Sequence, residues 1–111
     1  MRSAHVVAIK IHPESGRPGV ELSDVEVEAE GLAGDRRKKA AVHLVGADEA
    51  ATRANIVLDT PTAELADLVG REVSIGGARL GIARTAGNCA GVYADVLAPG
   101  VLRVGDTVAL D

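Results

Sequence analysis

Short alternating apolar runs, each cut off by glycine or proline, limit the folds open to this chain more than any other feature. Val25-Glu26-Val27-Glu28-Ala29-Glu30 alternates apolar and acidic residues, the pattern of a strand with one buried and one wet face. Val6–Ile11 predicts a first strand, with Val7, Ile9 and Ile11 on one face and Ala8 and Lys10 on the other. Ala41–Val45, Ile56–Leu58, Val73–Ile75, Ala78–Ala83 and Val92–Leu97 predict further strands. Gly76-Gly77 is a two-residue hairpin signal, and Val101–Val104 with Thr107–Leu110 predicts a last hairpin across Gly105-Asp106. Thr60 as a cap and Pro61 in first position predict one helix, with Leu65, Leu68 and Val69 as its apolar stripe and Gly70 as its stop. Asp48–Thr52 predicts a short helical turn. The sum is a mainly β fold: a small closed or half-closed antiparallel barrel with one or two short helices.

The core of such a barrel has to be aliphatic here. Hydrophobic residues make up 47% of the 111, yet Tyr93 is the only aromatic. That length predicts a single domain, 1–111. Sixteen acids against twelve bases leave a net charge of -4, which argues against nucleic acid as a partner. No apolar run approaches the length a bilayer needs, so no membrane partner is expected. The N-terminal apolar run is short and interrupted by His5, Lys10 and His12, unlike a secretory signal. With one cysteine and no such signal, the expected compartment is the reducing cytoplasm.

Cys89 lies in the small-residue segment Thr85-Ala86-Gly87-Asn88-Cys89-Ala90-Gly91, which follows a strand. A lone thiol there is either a small buried hydrophobe or a reactive sulfur. The alternating glutamates read as a solvated sheet face, because like charges in a row do not converge on a metal. Gly31-Leu32-Ala33-Gly34-Asp35 is a tight loop in which Asp35 can brace the turn through an Asx bond. Arg36–Lys39 follows as four consecutive cations, an anion site only if the fold brings a second polar cluster alongside. Arg53 and Asn55 share one face if their segment is extended, where they either brace a loop or meet a ligand. The histidines His5, His12 and His43 lack metal-ligand spacing, and His43 reads as a hydrogen-bonded structural residue.

Taken in order, Gly31-Leu32-Ala33-Gly34-Asp35-Arg36, Arg53-Ala54-Asn55, Val73-Ser74-Ile75-Gly76, Cys89 and Val104-Gly105-Asp106-Thr107-Val108 resemble the MOSC domain. That family is named for the C-terminal part of molybdenum cofactor sulfurases. The resemblance runs from Ile9 to the end of the chain. It implies a β-barrel in which Cys89 ligates the molybdenum of a pterin cofactor or carries a persulfide destined for it. It also implies that Arg36, Arg53 and Asn55 hold the cofactor's phosphate. In that reading the chain is a short stand-alone member, either a molybdenum-dependent oxidoreductase or a sulfur carrier. Its partners would be a cysteine desulfurase or an electron-transfer protein. The aminotransferase-like domain of the sulfurases is not present in these residues, so no pyridoxal phosphate site is expected. The alternative is a non-catalytic small β-barrel that serves as a binding module, with Cys89 structural.

Overall fold

The protein is described by a computed structural model covering residues 4–14, 16–36, 40–50 and 53–110. Seven strands form a closed barrel. In chain order they are β1 (Ala4–Ile11), β5 (Val42–Gly46), β6 (Ile56–Leu58), β7 (Glu72–Ile75), β8 (Ala78–Thr85), β9 (Val92–Ala98) and β11 (Thr107–Leu110). Around the ring the order is β1-β11-β7-β8-β9-β5-β6, and β6 pairs back onto β1. β2 (Val20–Leu22) pairs with Ile9–Ile11 of β1, while β11 takes the first residues of the same edge. A separate three-stranded sheet orders β10 (Gly100–Arg103), β3 (Asp24–Glu28) and β4 (Gly31–Leu32).

Burial shows why these residues form these elements. Val25 and Val27 are buried while Glu26 and Glu28 are exposed, so β3 lies apolar face inward. Leu80 and Ile82 do the same on β8. Leu102, Val27 and Leu32 of the small sheet share one aliphatic core with the barrel residues Val6, Ile9, Leu44, Ile56 and Leu80. Leu65 and Leu68, from helix α1 (Thr62–Leu65) and the 3-10 turn Ala66–Leu68 after it, join the same core. A second small cluster of Val45, Ala54 and Val57, with Ala8 and Ala90 against it, lies apart from that core.

Two expectations are corrected by tertiary pairing. The register of β1 shifts between Val6 and Ala8, so Val6 and Ile9 both reach the core and Val7 is left exposed. A bulge resets the alternation, which period-two reading of the sequence cannot foresee. Second, β10 and β11 do not pair with one another: β10 lies on β3 and β11 bridges β7 and β1. The turn between them is pinned to β1, with Gly105 N–H donating to Val6 O (2.7 Å) and Val6 N–H to Asp106 O (2.9 Å). The barrel is mainly antiparallel as expected, with one parallel pair, β5 and β6.

The short helix also departs from its signal. Pro61 is the capping residue rather than the first helical one, and Val69 is exposed beyond the helical residues. The Thr60 hydroxyl donates to Glu64 Oε2 (2.8 Å), while the helix's first amide, Thr62 N–H, is capped from afar by Asp48 Oδ1 (2.8 Å). Asp48 sits in a 3-10 turn, Ala47–Glu49, where a helical turn was expected; the rest of that expected turn, Ala51 and Thr52, lies outside the described residues.

Candidate functional site

Asn55 is the hub of a buried polar network. It is 1% exposed, and its Nδ2 donates to Lys10 O (3.1 Å) and Asp35 Oδ2 (2.8 Å). Its Oδ1 accepts from His43 N–H (3.0 Å), and its main chain bonds both His43 O and Lys10 N–H. Both amide hydrogens are therefore committed within the protein. Asp35 Oδ1 accepts from His12 N–H (2.7 Å), and Arg36 N–H donates to His12 O (3.2 Å). The Asp35 carboxylate thus reaches across to two other segments in addition to ending the Gly31–Gly34 loop. Of the four expected cations, Arg36 is exposed beside His12; Arg37, Lys38 and Lys39 lie outside the described residues.

Arg53 and Asn55 do not share a face. Arg53 is exposed and lines a cleft of about 390 Å³ together with Lys10, His12, Arg17, Gly19 and Glu21. Asn55 lies beneath, buried. The segment ahead of β6 bends instead of running extended, which separates their directions. Lys10 Nζ donates to Ala50 O (2.6 Å), which ties the cleft's edge to the loop after the 3-10 turn.

Cys89 is exposed, in the loop joining β8 to β9. Cys89 N–H donates to Ala86 O (3.1 Å) and Ala86 N–H to Gly91 O (3.0 Å), so the loop is a closed turn. Gly87 and Gly91 adopt φ of 66° and 88°, a backbone that L side chains seldom take. At Gly91 a Cβ would also collide with Leu44 O. Ala90 packs onto Val45, Ala54 and Val57, and its carbonyl accepts from His43 Nε2 (2.7 Å). A carbonyl only accepts, so Nε2 carries the hydrogen. The His43 ring also meets Tyr93 edge-on (5.0 Å between centroids), and the Arg84 guanidinium lies 4.5 Å over the Tyr93 ring.

The fold therefore gathers Arg36, Arg53 and Asn55 around the end of β1, and joins the Cys89 loop to them through His43 and Ala54. Cys89 itself does not line the cleft. Among the described residues no group of three or more His, Cys, Asp or Glu is placed to hold a metal ion, and no helix is long and apolar enough to cross a membrane. The cleft residues Lys10, His12, Arg17 and Glu21 escaped the sequence reading. Their one signal is the Pro13, Pro18 and Gly19 punctuation that folds the loop back over β1.

No family model and no curated protein matches this chain. Solved structures do. The YUAD protein from Bacillus subtilis superposes with a TM-score of 0.78 at 14% identity, over 97% of this chain and 95% of that one. A hypothetical protein superposes with a TM-score of 0.79 at 12% identity, over 97% of this chain and 66% of that one. At such identities the likeness is one of fold.

Proposed function

We propose that this is a MOSC-type protein that carries sulfur as a persulfide on Cys89. The supporting observation is the placement of the thiol: exposed, on a turn whose backbone is pinned at Ala86, Ala90 and Gly91. A carrier sulfur has to meet a donor protein and then an acceptor, which suits an accessible atom on a fixed loop. In the loading step the Cys89 thiolate attacks the outer sulfur of a persulfide on a cysteine desulfurase. A sulfur–sulfur bond forms at Cys89, the donor's breaks, and the donor cysteine leaves as a thiolate. No external oxidant or reductant is consumed. Incubation with a cysteine desulfurase and free cysteine should add the mass of one sulfur atom, removable by thiol reductant and absent from Cys89→Ala. An unmodified wild type in the presence of active desulfurase would end this reading.

A second reading has the thiolate, a soft ligand, bind molybdenum of a pterin cofactor. Its support is the donor set: an exposed thiol, and two exposed arginines, Arg36, whose amide bonds His12 O, and Arg53 on the cleft wall. Arg36 and Arg53 would hold the cofactor's phosphate, and Asn55 would act by bracing them. When bound, the cofactor supplies redox chemistry toward a small N-oxygenated substrate, with an electron-transfer protein as partner. Expression in a host that makes the cofactor should load metal on wild type and not on Cys89→Ser; equal, negligible metal in both removes this version. The binding-module alternative, with Cys89 inert, instead predicts neither a persulfide nor bound metal on Cys89.

A further inference from the structure

We infer that the cleft beside the end of β1 binds a small organic anion carrying two acidic groups, at a site separate from Cys89. The cleft is lined by three cations, Lys10, Arg17 and Arg53, against one carboxylate, Glu21, in a chain of net charge -4. Its volume of about 390 Å³ lies in the range of small-molecule sites.

Lys10 and His12 are held in place before any ligand arrives, and the two arginines are free to meet it. Lys10 is fixed at its ammonium by Ala50 O and along its main chain by Asn55. The buried His12 ring lies under Gly19, where any Cβ would run into the imidazole. Arg53 makes no ion pair among the described residues. Arg17 pairs with Glu14 at 2.8 Å, but both side chains are solvent-exposed, so the pair is weak and releases the guanidinium readily. Arg17, on the loop between β1 and β2, and Arg53, ahead of β6, come from different segments. Two forks on separate segments match two acidic groups of one molecule. Cys89 is not on the wall, and the inference stands apart from the sulfur-carrier reading.

Calorimetric titration at low salt with succinate, with phosphoglycolate (a phosphate ester that also carries a carboxylate) and with inorganic phosphate tests it. At least one of the two organic molecules with two acidic groups should bind more tightly than inorganic phosphate; which of them does tells a dicarboxylate from a phosphorylated carboxylate. Arg53→Gln and Arg17→Gln should each weaken that binding about tenfold. Glu21→Gln should tighten it by removing a like charge, Arg103→Gln should leave it unchanged, and added salt should weaken it. All four are exposed side chains, and circular dichroism checks that each variant is folded. The inference is overturned if neither two-acid molecule outbinds phosphate, or if folded Arg53→Gln and Arg17→Gln bind as wild type does.

Discussion

Asn55 shows how much one buried amide organises. Replacing it with alanine removes the bonds that its side chain makes to Lys10 O, His43 N–H and one Asp35 oxygen in a part-buried site. Each of the three lost bonds is worth about 1 kcal/mol, so Asn55→Ala should lose about 3 kcal/mol in urea unfolding. A loss below about 1 kcal/mol would mean that water replaces the amide. Asn55→Asp should not rescue, because it sets a second carboxylate against Asp35. Gly91 is the comparable residue in the Cys89 loop. Its φ of 88° and the Leu44 carbonyl where a Cβ would go predict that Gly91→Ala costs about 2 kcal/mol or more. Thiol labelling of that variant should change too, since the turn presenting Cys89 must shift; an unaltered rate would separate the loop's geometry from its reactivity.

Helix α1 is too short to hold itself and depends on distant groups. The Thr62 hydroxyl and then its amide hold the Asp48 carboxyl below the ordinary value of 3.8. A lowered folded-state pKa contributes stability that is present above the ordinary value and is lost as pH falls through the lowered one. The stability difference between wild type and Asp48→Asn should therefore be full at neutral pH and shrink in strong acid. Paired urea curves at the two pH values check this, and a difference that ignores pH would show that the charge is not what caps the helix. Asp59, held low chiefly by the His5 amide, acts in the same direction and stays in both proteins, so it cancels from the comparison. Elements whose signal is local were legible: the Gly76-Gly77 hairpin and the β3 alternation depend only on neighbours in sequence. The cap on Thr62 was not, since its donor and acceptor are separated by 14 residues.

At the scale of the molecule, the barrel and the three-stranded sheet share one aliphatic core, and Leu102 is fully buried within it. Leu102→Ala should cost about 3 kcal/mol and move a single unfolding transition. Two separated transitions by fluorescence-free probes such as circular dichroism and amide exchange would show instead that the small sheet opens alone. The β1 strand is where the parts meet: it pairs with β6 on one side and with β11 and then β2 on the other. The same strand carries Lys10 near its end and leads into His12, which connects the closure of the barrel to the cleft.

Alternation and glycine spacing by themselves determined a mainly β chain with an aliphatic core, because strand faces and tight turns are set by adjacent residues. They also singled out Cys89, Arg53 and Asn55 as residue types. What only the tertiary structure decided was partnership. β10 left its sequence neighbour β11 for β3 because the turn between them is pinned to Val6, far away in the chain. Asn55 turned inward and Arg53 outward because Lys10, Asp35 and His43 converge on the amide from three separate segments. Hydrogen bonds and packing choose partners by distance in space, and a strand pattern carries no record of that distance.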